Sequence, residues 1–391
     1  MEGSKLFIST GDLANMLQVL NAIIPANPII PSLENVLMDV DGDTMSLTAS
    51  DGEIFATIKT DAVKEGEDFN ALLPAKLLGE LSKGLPLQPV TIELTPFNSH
   101  AGDTEEVMIS ASSGSYVIQI PDVAEYVSIL EFDDKESSID VFSGLFITGI
   151  EQVLFAASND DLRPAMSGIN FHIDTYMIKM VATDGYILAE KKFIMNEKMM
   201  PAGKVKEFTI SQKAAKCLVK MFKLHASETV SLLVTETHIQ FSCDNMTFAC
   251  RLISEKYPDY RAVMPESYSH ECKFTRLDLF ASLKRVALFA EKQKTGAVSL
   301  EFKGHDAEEM TVSASKEDFS MYANETVRCY FRGNPLRISF LANKMAAILD
   351  NMAHGDVIMR MTSPKSAIGL YGEYQDEDKT LTYIIMPVWW T

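Results

Sequence analysis

The sequence predicts an α+β fold made of three tandem copies of one domain of about 130 residues. Three similar segments support this prediction, because each places a lysine three residues after an aliphatic residue and five before a leucine. These lysines are Lys76, Lys213 and Lys344. Helical and strand patterns recur in the same order around each of them. The repeat length exceeds the ~20–50 residues of a solenoid unit and matches a small domain.

Each repeat begins with a helix whose apolar residues recur at helical spacing. Ser9, Thr10 and Asp12 are candidate N-caps of the first of these helices. The predicted opening helices cover residues 13–24, 145–156 and 279–290.

A pair of strands follows each opening helix. The second strand of each pair alternates between its two faces, at residues 45–50, 178–183 and 310–315. Asp-Gly follows this strand at Asp51 and again at Asp184, which is a strong signal for a hairpin turn. The third repeat departs from this pattern, with Lys316 and Glu317 at the turn.

Each repeat closes with its lysine-bearing helix, predicted over residues 73–81, 210–218 and 341–349, and with further strands. The closing strand pairs are 107–110 with 116–120, 230–234 with 238–242, and 357–361 with 367–371. One repeat therefore packs two amphipathic helices on one face of antiparallel sheets. The predicted domains are residues 1–131, 132–264 and 265–391, divided at the acidic segment near Glu131 and near Pro265.

Composition predicts a cytoplasmic protein with no cofactor and no metal. With 47% hydrophobic residues among 391, three domains of this size can each bury a core. No stretch approaches the ~18 apolar residues of a membrane span, and the first residues lack a signal-peptide pattern. The five cysteines have no C-x-x-C spacing and the seven histidines are scattered. We therefore expect the thiols to be small core side chains and predict no metal site.

The distribution of lysines matters more than the formal charge of −19, which on average argues against a nucleic-acid partner. Lys76 and Lys83 share one predicted helix face, and Lys213 and Lys220 repeat their spacing. In the third repeat Asn351 stands where Lys344 would have such a partner. Lysines on equivalent helices indicate local, sequence-independent attraction of phosphates. Ordinary solvated lysines are the alternative.

The sequence contains none of the common catalytic motifs. It has no phosphate-binding loop, no dinucleotide-binding glycine motif, no His-Glu-x-x-His and no Gly-x-Ser-x-Gly. Asp51 and Asp184 could serve carboxylate-assisted catalysis. Their position before glycine, after an alternating strand, favours turns instead. We predict that the protein is not an enzyme.

Four segments resemble one known family in order and over essentially the full length. They are Ile-Pro-Ser-Leu-Glu-Asn-Val-Leu at 30–37, Val-Ala-Thr-Asp-Gly-Tyr-Ile-Leu-Ala at 181–189, Tyr-Pro-Asp-Tyr-Arg-Ala-Val-Met-Pro at 257–265 and Tyr-Ile-Ile-Met-Pro at 383–387. The chain resembles the bacterial DNA polymerase sliding clamps, the beta subunits of DNA polymerase III. The resemblance implies three copies of a DNA-clamp domain, forming half of a head-to-tail dimeric ring around duplex DNA. It also implies tethering of the replicative polymerase without catalysis, in the bacterial cytoplasm at the nucleoid.

The resemblance also implies three sets of site residues. The inner, DNA-binding face would present Lys76, Lys83, Arg163, Lys213, Lys220 and Lys344. An apolar groove for peptides of polymerases and the clamp loader would be lined by Met166, Thr183, Tyr186, Leu188, Pro258, Val263, Ile384, Met386 and Pro387. The dimer joint would pair a late strand of the first repeat, with Tyr116 and Ile118, against the first helix of the third, with Leu288 and Phe289.

Three positions depart from the family pattern. Asn27 and Pro28 stand where a basic residue is frequent, Tyr186 replaces a frequent histidine, and Ala262 replaces a common basic residue. Two other functions stay open. One is an acidic scaffold that binds only proteins and does not depend on Lys76, Lys213 and Lys344. The other is a hydrolase or transferase that uses Asp51 or Asp184.

Overall fold

The computed structural model describes residues 4–99, 102–126, 132, 138–160, 162–224, 227–265, 267–290, 296–316, 321–353 and 355–388. The chain divides into two compact units. One unit comprises Met1–Leu145 and Lys216–Leu252, and the other comprises Phe146–Ala215 and Ile253–Thr391. Most of the acidic segment predicted as the first domain boundary lies outside the described residues, so the boundaries at 131 and 264 stay predictions.

All six predicted helices are present. They are α1 (Thr10–Leu20), α2 (Ala75–Gly84), α3 (Ser143–Leu154), α4 (Gln212–Leu224), α5 (Arg276–Val286) and α6 (Ala342–Asn351). Ser9 is the N-cap of α1, since its side chain accepts a hydrogen bond from the Gly11 amide. The prediction placed the end of α1 too late. The helix ends at Leu20 because the amides of Ala22 and Ile23 turn to carbonyls three residues back, which tightens the chain.

The strands are antiparallel throughout the described residues. They are β1 (Ser4–Ser9), β2 (Asn35–Asp41), β3 (Thr44–Ser50), β4 (Ile54–Asp61), β5 (Val63–Glu65), β6 (Phe69–Pro74), β7 (Pro89–Ser99), β8 (Gly102–Ala111), β9 (Gly114–Ile120), β10 (Ile139–Phe142), β11 (Gly168–Ile173), β12 (Met177–Thr183), β13 (Ile187–Ile194), β14 (Lys206–Ser211), β15 (Thr229–Val234), β16 (His238–Cys243), β17 (Met246–Arg251), β18 (His270–Thr275), β19 (Ala297–Phe302), β20 (Ala307–Lys316), β21 (Met321–Arg332), β22 (Leu336–Leu341), β23 (Asp356–Met361), β24 (Ile368–Gly372) and β25 (Leu381–Ile385). The predicted alternating strands are therefore confirmed, each within a few residues.

The first unit contains two sheets, ordered β5-β1-β7-β8-β9 and β10-β15-β16-β17-β4-β3-β2-β6. In the larger sheet, the pairing of β17 with β4 joins strands of the second repeat to strands of the first, and Phe248 lies opposite Ala56. Helices α1 and α2 pack together, and Leu17 and Leu78 are fully buried. Gly79 permits this approach, because a Cβ there would lie 2.6 Å from Nδ2 of Asn21.

The second unit contains one sheet of twelve strands, ordered β14-β11-β12-β13-β25-β24-β23-β18-β21-β20-β19-β22. The pairing of β13 with β25 joins the second repeat to the third, and Tyr383 lies opposite Ala189. Its core includes the stacked rings of Phe302 and Phe331, whose centroids are 4.3 Å apart. None of the described helices combines the length and the apolar character needed to cross a lipid bilayer.

Four of the five cysteines are buried, as expected for small core side chains, and none forms a disulfide. Burial raises the pKa of the Cys243 thiol to about 11, with a smaller contribution from the neighbouring charge of Asp244. Such a thiol stays protonated and unreactive at neutral pH. No cluster of three metal-binding side chains occurs within the described part of the chain.

Candidate functional site

The hairpin turn between β12 and β13 is built by one aspartate. One carboxylate oxygen of Asp184, Oδ1, accepts hydrogen bonds from the amides of Tyr186 and Ile187 at 2.8 and 2.9 Å. Gly185 has a φ of +88°, which favours glycine. Asp51 holds the equivalent turn of the first repeat through the amides of Glu53 and Ile54. The predicted turns are confirmed, and both aspartates are turn acceptors.

A groove of about 160 Å³ opens beside the turn at Asp184. Its walls come from β13, from the end of β25, and from the segment between Pro258 and Val263. Leu188 and Ile384 form a buried floor, whereas Tyr186 and Val263 are 49% and 41% exposed at the rim. This shape can take an apolar side chain of a peptide and bury it against aliphatic atoms.

The structure brings together all the residues predicted for the groove except Pro387, which is not among the lining residues. The lining comprises Met166, Thr183, Gly185, Tyr186, Ile187, Leu188, Pro258, Asp259, Tyr260, Val263, Ile384 and Met386. The sequence reasoning missed Gly185, Ile187, Asp259 and Tyr260. All four lie inside the two central segments that carried the family resemblance, so their neighbours in those segments were the available signal.

Two buried tyrosines pack against the residues that form the floor of the groove. Tyr257 and Tyr260 are buried and pack with Val181, Leu188 and Ile384 in one cluster. Burial is the main cause that raises the pKa of both phenols, so both stay neutral and act as apolar packing groups at physiological pH. Tyr257 still donates a hydrogen bond to the carbonyl of Val181 at 3.4 Å.

The lysines predicted for DNA contact lie on the closing helices of the repeats. Lys76 and Lys83 are exposed on α2, and Lys213 and Lys220 are exposed on α4. The Nζ of Lys76 donates to the carbonyl of Ala26 at 3.4 Å, so this lysine lies beside the loop that carries Asn27. Their exposure leaves these ammonium groups accessible to a polyanion.

Lys344 and Arg163 differ from the other predicted cations because both lie near the turn at Asp184. Lys344, at the start of α6, forms an ion pair with Oδ2 of Asp184, and its side chain is 30% exposed. Arg163 contacts Asp160 at 3.5 Å, and a Cβ built on Gly185 would lie 3.7 Å from its Nη1. These two cations therefore flank the groove turn.

Three of the four residues predicted for a dimer joint, Tyr116, Leu288 and Phe289, are exposed, and Ile118 is partly buried. Tyr116 and Ile118 belong to β9, which ends the five-stranded sheet and pairs only with β8 among the described residues. Leu288 and Phe289 follow α5 in a 3-10 turn and are 73% and 36% exposed. That turn packs against β20 and β21. Two sets of apolar side chains thus lie next to strand edges that have no partner strand among the described residues.

Family comparisons cover nearly the whole chain. Residues 4–126 match the N-terminal domain of the DNA polymerase III beta subunit, residues 141–259 match its central domain, and residues 261–389 match its C-terminal domain. The three matches follow one another in the order of the three repeats.

Curated relatives match end to end. The beta sliding clamp of Synechococcus elongatus is 25% identical over 389 residues, which cover 98% of this chain and 99% of that protein. The beta sliding clamp of Bacillus subtilis is 23% identical over 393 residues, with the same coverage.

Solved structures share the fold. The DNA polymerase sliding clamp of Bacillus subtilis superposes with a TM-score of 0.87 at 22% identity, over 100% of both chains. The Thermotoga maritima DNA polymerase III beta subunit has a TM-score of 0.86 at 19% identity, over 99% of this chain and 100% of that one.

The threefold α+β repeat and the groove define a DNA clamp. The chain belongs to the DNA polymerase III beta subunit family. This family consists of processivity factors without catalytic activity, so the hydrolase alternative is set aside.

Proposed function

We propose that the protein is a sliding clamp that encircles duplex DNA as a homodimer and tethers the replicative polymerase during processive synthesis. The clamp loader and other DNA-processing proteins would use the same groove. The observation that carries the proposal is the recurrence of a lysine at one position of the closing helix in all three repeats, in a chain of net charge −19. A protein that only binds proteins has no need for that recurrence.

Weak phosphate contacts suit a clamp better than tight ones. Lys76, Lys83, Lys213 and Lys220 are exposed lysines, which contact phosphates as point charges and read no base sequence. The acidic remainder of the chain repels DNA, so attraction is confined to these helices. Retention would then come from closure of the ring, and the clamp could slide.

The joints within the chain suggest how two chains pair. In β17 and in β25 the third residue is aromatic, and each lies opposite an alanine of the neighbouring repeat. The two pairs are Phe248 with Ala56 and Tyr383 with Ala189. The third residue of β9 is also aromatic, Tyr116, and among the described residues no strand pairs with the outer edge of β9.

The matching alanine in the third repeat is Ala323 of β21. Ala56 and Ala189 pair across their hairpins with Ala49 and Ala182, and Ala323 pairs in the same way with Ala314. Beyond its short pairing with β18, strand β21 has β20 on one side only among the described residues. We infer that β9 of one chain pairs with β21 of the other, with Tyr116 opposite Ala323.

The groove supports binding of short peptides. Its volume of about 160 Å³ suits one or two apolar side chains, and its rim residues Tyr186 and Val263 can close over them. A buried anchor of this kind supplies most of the affinity of a small interface. Because DNA is the proposed ligand and the relatives named above are bacterial proteins, we place the protein in the bacterial cytoplasm, at the nucleoid.

Loading onto circular and linearised DNA tests the proposal. The protein, placed on a nicked plasmid by a clamp loader, should stay bound at moderate salt and run off once the plasmid is cut. Replacing Lys76, Lys83, Lys213 and Lys220 by methionine should reduce loading, whereas Lys303→Met, at an exposed position just after β19, should not. Equal retention on circular and cut DNA would contradict encirclement, and normal loading of the fourfold variant would favour a scaffold that binds only proteins.

A further inference from the structure

A second cavity lies in the same unit as the groove, on the opposite face of the β13–β25 pair. Its volume is about 240 Å³. Lys191 and Leu381 face each other across this strand pair, as Leu188 and Ile384 do at the groove. Because side chains alternate along a strand, the two pairs point to opposite faces. The cavity is therefore separate from the peptide site.

A buried ammonium group lines this cavity. Lys191 is only 7% exposed, and its Nζ donates one hydrogen bond, to the carbonyl of Lys379 at 3.0 Å. No carboxylate of the described residues forms an ion pair with it. A lysine has three N–H donors, so donors remain for a further acceptor. The Nζ also lies 4.9 Å from the centre of the Phe193 ring, and Asp376 acts on it as a favourable charge without forming an ion pair. Burial is the main cause that lowers the pKa of this lysine, because burying a charge without a directly bound counter-ion is costly.

A buried acceptor lines the same cavity. Oε1 of Gln152, on α3, is buried and accepts no hydrogen bond from the described residues. Asp376 and Lys379 lie at the exposed mouth. The cavity thus offers an unmet donor and an unmet acceptor, and both need a polar ligand.

The charges around the cavity select against a polyanion. Asp356 and Glu373 line it and are both bound by Lys273, at 3.4 and 2.5 Å. With Asp376 they make three negative charges, and Lys191, Lys379 and Lys273 make three positive ones. The environment is neutral on balance but polarised, with the buried positive charge inside. A small zwitterion has the complementary arrangement.

We propose that this cavity binds a free amino acid with an aliphatic side chain. Its carboxylate would accept hydrogen bonds from Lys191, and its ammonium group would donate to Gln152 and Asp376. Met352, Leu381 and Tyr383 supply apolar surface for the side chain. This site goes beyond the clamp function, and its occupancy does not depend on DNA.

L-leucine is the probe for this site. In the full-length protein with 13C-labelled methionine methyl groups, leucine should shift the Met352 signal in a saturable manner, with Met352→Leu assigning that signal. L-leucinamide lacks the carboxylate and N-acetyl-L-leucine lacks the ammonium group. Each should bind at least about tenfold more weakly, because each loses a charge-assisted hydrogen bond.

A matched pair of variants tests the role of the buried lysine. Lys191→Met keeps the length of the side chain and removes its charge, and it should weaken leucine binding by about tenfold or more. Lys192→Met removes the charge of the neighbouring lysine, whose side chain points to the opposite face of β13, and it should leave leucine binding unchanged. Removing an unpaired buried charge does not by itself prevent folding, which urea unfolding checks. An unmoved Met352 signal, equal binding by Lys191→Met, or equal binding of N-acetyl-L-leucine would overturn the proposal.

Discussion

Lys344 in α6 forms an ion pair with Asp184, whose other carboxylate oxygen holds the turn that leads into the groove. One carboxylate therefore joins a lysine expected at the DNA to the turn that carries Tyr186. A lysine whose charge is neutralised in this way attracts phosphates less than a fully solvated lysine does. In the third repeat, the shared lysine is therefore tied to the turn at the groove.

Asp184→Asn should strengthen DNA contact. The amide can still accept hydrogen bonds from the turn amides but no longer neutralises Lys344. We expect the protein to stay on nicked circular DNA up to a higher salt concentration. The slope of log affinity against log salt should also become steeper, by the amount that corresponds to about one additional phosphate contact at most. Filter binding across a salt series measures this change. The loss of a partly buried ion pair should cost about 1 kcal/mol or less of unfolding free energy.

Asp184→Ala is the matched control for the turn. It removes the ion pair and also the acceptor for the amides of Tyr186 and Ile187. Urea unfolding should show that the free energy of unfolding of Asp184→Ala is about 1–3 kcal/mol lower than that of Asp184→Asn. Equal stability of the two variants would show that the turn does not depend on this acceptor.

A disulfide cross-link tests the proposed pairing between chains. With Tyr116→Cys and Ala323→Cys in the same chain, mild oxidation should give a closed covalent dimer, because directly opposed residues of an antiparallel pair bring their Cβ atoms within about 4.5–5.5 Å. Non-reducing electrophoresis reads the result. Tyr116→Cys with Asn324→Cys shifts the register by one residue and places the second side chain on the other face. Cross-linking of both pairs at equal rates would exclude the proposed register.

Tyr186→Ala should weaken peptide binding without unfolding the protein. Tyr186 is 49% exposed at the rim of the groove, so its ring is free to cover a bound anchor. We expect about a tenfold loss of affinity for a short polymerase peptide with aliphatic and aromatic anchors, measured by fluorescence anisotropy. Tyr176→Ala removes a ring of similar exposure, 43%, from a turn outside the groove. If both variants bind alike, the rim carries none of the affinity.

Stability should fall in acid partly through Glu325. Arg285 binds this carboxylate through Nε and Nη2 at 2.8 and 2.6 Å, and these hydrogen bonds lower the pKa of Glu325 below its usual 4.5. A lowered carboxylate pKa contributes stability above the usual value, and this contribution is lost as the pH falls through the folded-state pKa. Glu325→Gln should therefore flatten the dependence of the urea midpoint on pH below about 4.5. An unchanged slope would show that the ion pair of Arg285 with Glu325 contributes nothing to the pH dependence of stability.

The repeat and its elements could be predicted because their signals are local. Alternation in β3, β12 and β20 and the Asp-Gly turns act over a few residues, and the structure confirms them. The ends of the helices were harder to predict. The beginning of α1 at Thr10 depends on the cap made by Ser9, and its end depends on a single tightened turn rather than on apolar spacing.

The site could be predicted in part only. The groove residues came from the family resemblance, and the structure brings all of them except Pro387 to its lining. The ion pair of Lys344 with Asp184 joins residues 160 positions apart, so no local sequence pattern predicts it. Lys191 gave no signal either, because a lysine in an alternating strand is normally assigned to the solvent face. Lys191 instead pairs with Leu381 of β25, and its Nζ is bound by the carbonyl of Lys379.

Each of the two joints between repeats within the chain contains its own aromatic–alanine pair. Phe248 and Tyr383 hold the two joints inside a chain, whereas Tyr116 would serve only the joint between chains. If the proposed pairing holds, a substitution at Tyr116 would change how long two subunits stay together and would leave the folding of each subunit unchanged. Evolution could set the lifetime of the clamp on DNA at this single position.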